Sequence, residues 1–186
     1  MNTVYIVGEP GVGKSTFMDA IFCEYEDFII HRNPLPHVEY TDGKSLWPPG
    51  SVAQLGIPKA LGSPFPGTDQ LSFTAIQQAE PWVRSKPFDW LFAEGDRLAV
   101  DRFLKACVES GELYLVWLRG QEVAAQRRTA RLAGGKPQFE EWVDGRRTKI
   151  HNLIGRWNHI QLDAKRSPTE LVEDLKEAIR DRVPRA

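Results

Sequence analysis

The chain has 186 residues, of which 41% are hydrophobic and 26% charged, and its 24 Lys and Arg against 25 Asp and Glu give a formal net charge of -1. This composition is typical of a folded globular protein, and the length fits one domain on a prior of roughly 100–200 residues per domain. The near-neutral charge argues against a nucleic-acid binder that is basic along its whole length, and it leaves room for a local basic surface.

The cysteine content and the hydropathy of the chain favour a cytoplasmic location. Cys23 and Cys107 lie far apart in apolar surroundings, so we expect both to be reduced thiols in the core. No basic leader precedes the first apolar segment. No run approaches the ~18 uninterrupted apolar residues that a membrane helix needs. We therefore expect a cytoplasmic protein without membrane contact.

The first predicted element is a strand over residues 3–7, which are β-branched or aromatic and are followed by Gly8. It leads into residues 8–15, Gly-Glu-Pro-Gly-Val-Gly-Lys-Ser, which complete the GxxxxGK[ST] pattern. In this pattern backbone N–H groups surround the β-phosphate, the lysine neutralises phosphate oxygens and the serine binds Mg²⁺. Apolar residues at helical spacing follow, so the loop opens onto a helix N-terminus, which favours an anion. The apolar residues at helical spacing are Phe17, Ala20, Ile21 and Tyr25.

This phosphate loop predicts nucleotide binding with Mg²⁺. A glycine-rich turn that matches by coincidence is the alternative, and the agreement of strand, loop and helix argues against it. Lys14 is also expected to act in catalysis and Ser15 to bind the metal. The residues assigned to the nucleotide are Gly8, Gly11, Val12, Gly13, Lys14, Ser15, Thr16 and Arg119.

The remaining elements alternate in the manner of an α/β fold. Apolar runs predict strands over residues 88–93, 113–118 and 159–162. Helical spacing is predicted around residues 100–107 and over 121–155, with a break near 134–137. A last helix begins at Pro168, where Ser167 and Glu170 form a capping box.

Residues 33–67 interrupt this alternation because they are rich in Pro and Gly. Long irregular segments inside compact domains are usually lids or binding loops, or are disordered. Residues 36–40 and 51–55 are predicted to pair as a small hairpin. Trp47, beside two prolines, either stacks on a base or packs within the loop. We assign the segment as an insertion on the acceptor side of the domain.

Two carboxylates are candidates for the chemistry. Glu94 follows the second predicted strand, at the carboxyl edge where open α/β sheets bind ligands, and is a metal ligand or a general base. Asp96 is equally well explained as the N-cap of the next helix. Asp69 precedes a predicted helix over residues 71–84 and is either a helix cap or the base for the acceptor hydroxyl. If both carboxylates meet the γ-phosphate, Asp69 accepts the proton and Glu94 organises the metal.

Basic side chains collect over residues 119–136, where five of them stand against Glu122 alone. Arg127 and Arg131 are neighbours four apart on a predicted helix, and Arg128 lies beside them. A charge run is usually a solvated helix face. Because this one follows a strand of a phosphate-binding sheet, we predict that Arg127, Arg128 and Arg131 form a catalytic lid that clamps phosphoryl oxygens.

A second basic patch consists of Arg146, Arg147 and Lys149. It either lines the same cleft or faces water. The four histidines are scattered, and none is assigned a catalytic role.

Together, the phosphate loop, residues 94–97 after a strand, the arginine helix and the final strand and helix resemble small P-loop kinases of the nucleotide and polynucleotide kinase type. The resemblance implies one domain over residues 1–186 with a three-layer α/β fold and a mostly parallel central sheet. It also implies ATP and Mg²⁺ as cofactors, an acceptor insertion at 33–67 and an arginine lid at 119–136. No residue distinguishes ATP from GTP.

More narrowly, the order of residues 52–56, 65–72, 94–97 and the arginine helix is similar to phage P-loop kinases. Some of these phosphorylate 5-hydroxymethyluracil bases within DNA. The resemblance implies DNA with a modified pyrimidine as the acceptor, and the host cytoplasm as the compartment if a phage encodes the chain. The long Pro- and Gly-rich loop departs from ordinary thymidylate and deoxynucleoside kinases, which puts a simple mononucleotide acceptor in doubt.

Two classes of function remain open. The first is a kinase that moves the γ-phosphoryl group of ATP to a hydroxyl on a nucleic-acid component, with 5-hydroxymethyluracil in DNA favoured and a small nucleoside or nucleotide next. The second is a nucleotide-dependent ATPase switch, which would hydrolyse ATP slowly without an acceptor. The oligomeric state is left open.

Overall fold

A computed structural model describes residues 1–41, 47–58, 61, 67–133 and 139–182, and for residues 131–133 it describes the backbone alone. The strands are β1 (Asn2–Val7), β2 (Phe28–His31), β3 (His37–Tyr40), β4 (Val52–Leu55), β5 (Trp90–Glu94), β6 (Leu113–Arg119) and β7 (Ile160–Asp163). The helices are α1 (Lys14–Ile21), α2 (Ile76–Arg84), α3 (Asp101–Ser110), α4 (Gln121–Ala133), α5 (Glu140–Ile154) and α6 (Pro168–Arg182).

The strands form one sheet in the order β2-β3-β4-β5-β1-β6-β7. The pairs β4–β5, β1–β5 and β6–β7 are parallel, and β2–β3 and β3–β4 are antiparallel. Every residue of β5 and all but the first of β1 are buried, as expected of parallel strands covered on both faces. The predicted α/β fold with a mostly parallel central sheet is confirmed.

The chain divides into two compact units, the first made of residues 1–6 and 22–114 and the second of residues 7–21 and 115–186. The assignment of one domain with an insertion at 33–67 and a lid at 119–136 stays a prediction. Parts of both segments, including the predicted break at 134–137, lie outside the described residues.

In the first unit, an aromatic cluster fills the space beside β3 and β5. The rings of Phe22 and Tyr40 stack with their centroids 4.1 Å apart, and Phe92 meets Phe22 edge-on at 5.3 Å. The ring centroid of Trp47 lies 6.0 Å from those of Trp90 and Phe92. Of the two roles considered for Trp47, packing within the protein is therefore the one that the structure shows. Such pairs stabilise a core beyond their buried area.

The hairpin predicted in the Pro- and Gly-rich segment is present. Its register pairs His37 with Leu55 and Tyr40 with Val52. The Tyr40 hydroxyl donates a hydrogen bond to Gln54 Oε1 at 2.9 Å across the pair. The connecting residues 42–46 lie outside the described part of the chain.

In the second unit, α1 packs against α6 through apolar side chains. The capping box at the start of α6 is confirmed, since the Ser167 amide donates to Glu170 Oε2 at 2.8 Å and the Glu170 amide donates to Ser167 Oγ at 3.3 Å. The buried side chains on the two helices are Phe17, Met18, Ile21, Leu171, Val172, Leu175 and Ile179.

Several local predictions are wrong. Because α1 ends at Ile21, Cys23 is exposed, whereas Cys107 is buried as expected and its pKa is raised by burial to about 12. Asp96 is not an N-cap, since α3 begins at Asp101. The helix predicted over 71–84 begins only at Ile76, after a 3-10 turn over Gly67–Gln70. Strand β2 was not predicted.

Among the helices in the described ranges, none has the length and apolar character that crossing a membrane requires.

Candidate active site

The phosphate-binding loop connects β1 to α1 and carries two glycines in the left-handed region. The φ angles of Gly11 and Gly13 are +89° and +109°, and Val12 between them has an ordinary negative φ. This alternation turns successive backbone N–H groups toward one side, which makes a concave site for an anion. A side chain at either position would be strained by the positive φ, and a Cβ on Gly13 would also displace Arg127 Nη1, from which it would lie 2.2 Å away.

Lys14 begins α1, and its ammonium group stays at the loop. Its Nζ donates to the carbonyl oxygens of Gly8 at 2.8 Å and Glu9 at 3.3 Å. Ser15 and Thr16 take the next two positions of the same helix. The residues assigned to the nucleotide, apart from Arg119, thus lie on a phosphate loop that runs into a helix N-terminus.

Helix α4 lies against this loop and brings two of the predicted lid arginines to it. Arg127 Nη1 donates to the Val12 carbonyl oxygen at 2.7 Å, and Arg128 Nη1 donates to that of Pro10 at 3.1 Å. The side chain of Arg131 lies outside the described part of the chain. The structure therefore joins Arg127 and Arg128 to the phosphate loop, and their role in catalysis stays a prediction.

A carboxylate within the loop binds arginines from two helices. Glu9 accepts two hydrogen bonds from Arg147 on α5, from Nε to Oε1 at 3.2 Å and from Nη2 to Oε2 at 3.3 Å. Arg128 Nη1 of α4 lies 3.6 Å from Glu9 Oε2. The hydrogen bond to Glu9, more than any other cause, raises the pKa of Arg147 above its ordinary value. Arg147 of the second basic patch therefore belongs to the loop.

Glu9 is not among the residues predicted for the site, and Arg147 was predicted only as part of a basic patch that either lines the cleft or faces water. Glu9 carries a signal that sequence reasoning can use, because a carboxylate inside an anion-binding loop needs cations beside it. The choice of Arg147 among the basic residues carries no such signal, since it lies 138 positions away.

The first unit holds both candidate carboxylates in what we call the acidic turn, residues 67–70 together with 94–97. Glu94 ends β5 and is 2% exposed, and Asp69 is exposed. Asp69 Oδ1 accepts the amide N–H groups of Asp96 at 2.8 Å and Arg97 at 3.3 Å. Asp69 therefore does not cap a helix over 71–84. It fixes the chain that follows Glu94.

Two glycines allow the segments of the acidic turn to approach this closely. Gly67 has a φ of +56°, and a Cβ there would lie 2.4 Å from the Glu94 carbonyl oxygen. Gly95 has a φ of +111°, and a Cβ there would lie 2.9 Å from Thr68 Oγ1 and 3.1 Å from Asp69 Oδ1. The structure thus brings Asp69 and Glu94 together around Gly95.

A buried tyrosine ties β1 to the acidic turn. The Tyr5 hydroxyl donates to the Gly95 carbonyl oxygen at 3.3 Å and lies 3.2 Å from Thr68 Oγ1. Burial raises the pKa of Tyr5 well above its ordinary value, and the charges of Asp69 and Glu94 act in the same direction. Tyr5 is therefore a neutral donor that holds the turn in place.

The last predicted nucleotide residue, Arg119, ends β6 and is exposed. Its guanidinium carbon lies 5.8 Å from the centroid of the Trp117 ring, which is within range of a cation–π contact. The structure does not bring Arg119 into a hydrogen bond with the loop among the described residues.

The residues of the phosphate loop fit the triphosphate of a nucleotide. The loop contains two left-handed glycines, and an ammonium group and two guanidinium groups contact its carbonyl oxygens. Ser15 stands where the motif supplies a hydroxyl to Mg²⁺. The donor set is therefore appropriate for a magnesium-bound nucleotide, which would supply the phosphoryl group.

The fold and this loop define the class of protein, which is a P-loop kinase. In overall structure the chain is similar to a gluconokinase from Sinorhizobium meliloti 1021, with a TM-score of 0.52, 18% sequence identity and coverage of 98% of both chains. At this level of identity the similarity shows the fold alone.

Residues 1–180 match the family model described as P-loop Nucleotide Kinase3, and the chain belongs to that family. A comparison with curated proteins found no match. The prediction of a P-loop kinase is confirmed at this level, and membership of the family supports kinase activity and nucleotide binding. The narrower resemblance to phage 5-hydroxymethyluracil DNA kinases is not confirmed.

Proposed function

We propose that the protein transfers the γ-phosphoryl group of ATP to a hydroxyl on a nucleic-acid component. The observation that carries this proposal is the set of cations at the phosphate loop, Lys14, Arg127 and Arg128, each within hydrogen-bonding distance of a loop carbonyl oxygen. Cations held at a phosphate site stabilise the charge that spreads over the phosphoryl oxygens during transfer.

On the donor side, the backbone N–H groups of the loop and the Lys14 ammonium bind the β- and γ-phosphates. Arg127 and Arg128 contribute guanidinium groups, whose paired N–H donors match phosphate oxygens. Magnesium bound to the nucleotide would neutralise phosphate charge and polarise the γ-phosphoryl group. We assign Ser15 and Glu94 as its protein ligands.

On the acceptor side, we assign Asp69 as the base. Its carboxylate is exposed, and among the described residues its hydrogen bonds all go to Oδ1. Oδ2 would take the proton of the attacking hydroxyl while the Asp96 and Arg97 amides hold the carboxylate in one orientation. A positioned base of this kind accelerates proton transfer by about 10²–10⁴-fold.

We further propose 5-hydroxymethyluracil within DNA as the favoured acceptor. The support is the order of the acceptor segment, the acidic turn and the arginine helix along the chain. The hydroxymethyl group is a primary alcohol, which suits a carboxylate base. A small nucleoside or nucleotide is the alternative acceptor, and a nucleotide-dependent ATPase switch is the alternative function.

A panel of acceptors tests the proposal. The protein is incubated with Mg²⁺ and γ-labelled ATP, and label transfer is measured to hydroxymethylated DNA, unmodified DNA, 5′-hydroxyl DNA, nucleosides and nucleotides. Gluconate is included because the structurally similar protein from Sinorhizobium meliloti 1021 is a gluconokinase. Transfer to hydroxymethylated DNA alone supports the favoured acceptor, and transfer to nucleosides or nucleotides selects the small-acceptor alternative. Acceptor-independent release of label would contradict the kinase and favour the ATPase switch.

A further inference from the structure

We propose that Arg147 is an additional phosphate-binding residue of the nucleotide site and that Glu9 is its displaceable counterion. In this proposal the Glu9 carboxylate holds Arg147 and Arg128 at the loop before nucleotide binds. The two guanidinium groups then transfer to phosphate oxygens when nucleotide enters. The inference rests on nucleotide binding at the phosphate loop, which is part of the proposed function.

The first support is the position of Glu9. It is the second residue of the phosphate loop, and its carboxylate contacts Arg128, whose Nη1 also donates to the Pro10 carbonyl oxygen of the same loop. Its side chain is only 13% exposed, which means that the charge has lost most of its contact with water. A carboxylate in this setting is stable only when cations compensate it, so Glu9 and phosphate oxygens compete for the same guanidinium groups.

The second support is the number of helices that meet at this carboxylate. Arg128 comes from α4 and Arg147 from α5, and their side chains are 13% and 29% exposed. Both arginines also have another acceptor, since Arg128 donates to the Pro10 carbonyl oxygen and Arg147 Nη1 donates to Asp144 Oδ1 at 2.7 Å. Neither arginine therefore depends on Glu9 alone for its position, and each can exchange that contact for a phosphate oxygen.

The third support is charge. Arg127, Arg128, Arg147 and Lys14 place four positive groups at the loop, and Glu9 is the acid that contacts two of them. A triphosphate carries more negative charge than one carboxylate and offers several oxygens to each guanidinium fork. Exchange of the Glu9 carboxylate for phosphate oxygens at Arg128 and Arg147 is therefore favourable, although the two arginines lose their contacts with Glu9.

The direction of the effect follows from this exchange. Removing the charge of Glu9 frees the arginines before nucleotide arrives, so Glu9→Gln should bind MgATP more tightly, by about threefold to tenfold for contacts of this exposure. Arg147→Gln should bind MgATP about tenfold more weakly, because it loses a charged contact to phosphate. Because Arg147 makes two hydrogen bonds to Glu9 and Arg128 makes the longer contact, the gain from Glu9→Gln should be smaller when Arg147 is also Gln.

The experiment is a double-mutant cycle on MgATP affinity, measured by calorimetry with wild type, Glu9→Gln, Arg147→Gln and the double variant. Two matched controls are Glu173→Gln, whose exposed carboxylate pairs with Lys176 on α6, and Arg102→Gln, whose exposed guanidinium pairs with Glu80. Both controls should leave the affinity within about twofold of wild type, the size expected of a surface charge. Thermal unfolding reports whether each variant folds, and Arg147→Lys, with an intermediate loss expected, replaces Arg147→Gln if that variant does not fold.

Tighter binding by Glu9→Gln that depends on Arg147 supports the proposal. Weaker or unchanged binding by Glu9→Gln, or a gain of equal size in both backgrounds, overturns it while wild-type binding leaves the proposed function intact. Absence of MgATP binding by the wild-type chain would overturn both.

Discussion

The phosphate-binding loop and the acidic turn are assembled in different ways. The loop residues are contiguous, and their spacing alone defines what they bind. The acidic turn joins two segments about two dozen residues apart, and it depends on Gly67 and Gly95 to let their backbones meet. The loop therefore specifies a chemical group that many proteins bind, whereas the acidic turn depends on the fold for its geometry.

This difference suggests that the two regions fail in different ways. A change in the loop should remove nucleotide binding or the stabilisation of transferred phosphate. A change in the acidic turn should leave nucleotide binding in place and affect turnover or stability. The following variants separate these outcomes, beginning with the largest expected effect.

Lys14→Ala should lower phosphoryl transfer by about 10²–10³-fold, because it removes a charged donor aimed at the phosphates. Initial rates with labelled ATP measure the loss. Lys176→Ala is the matched control, since that lysine pairs with Glu173 on α6. Equal rates for Lys14→Ala and the control would remove Lys14 from catalysis.

Asp69→Asn should lower turnover by about 100-fold while the dissociation constant of MgATP stays unchanged. The amide oxygen of Asn still accepts the Asp96 and Arg97 N–H groups, but the side chain no longer takes a proton. Asp69→Ala loses both roles and should also melt at a lower temperature. Full turnover by Asp69→Asn would leave Asp69 with a positioning role alone.

Tyr5→Phe should destabilise the protein by about 1 kcal/mol at neutral pH, through loss of the hydrogen bond to the Gly95 carbonyl oxygen. The pKa of Tyr5 is raised in the folded state, so wild type should lose stability as pH rises above the ordinary value of about 10. The variant lacks that ionisation, so its stability should fall less steeply. Urea unfolding at about pH 8 and above pH 10 measures both effects. If the stabilities of wild type and Tyr5→Phe fell in parallel as the pH rises, the burial of the Tyr5 hydroxyl would be contradicted.

The two cysteines give the smallest effect, and they report on the folding of the first unit. Exposed Cys23 should react with a thiol reagent in the native protein, and buried Cys107, whose pKa is raised to about 12, should react only on unfolding. Cys23→Ser should abolish the fast phase. The same assay on Asp69→Ala shows whether the acidic turn has opened the unit. Two fast thiols in wild type would contradict the burial of Cys107.

The parts of the fold that were predictable have strong local patterns. Strand β1, the phosphate loop and the capping box at Ser167 each depend on residues within a few positions of one another. Strand β2 was missed because its apolar run, Phe28 to Ile30, is shorter than the roughly 4–8 residues expected of a buried strand, and the structure leaves Phe28 and Ile29 at 41% and 49% exposure. The exposure of Cys23 was missed because helical spacing continues past Ile21 where the helix itself ends.

In the candidate site too, residues within a local pattern were predictable and contacts that depend on tertiary packing were not. Lys14, Arg127 and Arg128 were identifiable from motif and charge, and their contacts with the loop agree with that prediction. The bonds of Asp69 to the amides of Asp96 and Arg97 were not predictable, because a short acidic residue before a helix is usually read as a cap. The choice of Arg147 as partner of Glu9 depends on tertiary packing, which no local pattern encodes.

The most direct test of the account is a calorimetric titration of MgATP into the wild-type chain and into Lys14→Ala. The account predicts one saturable site on the wild-type chain and a much weaker one on the variant. A folded wild-type chain that takes up no magnesium nucleotide, or a variant that binds it equally well, would contradict the claim that this loop holds the triphosphate.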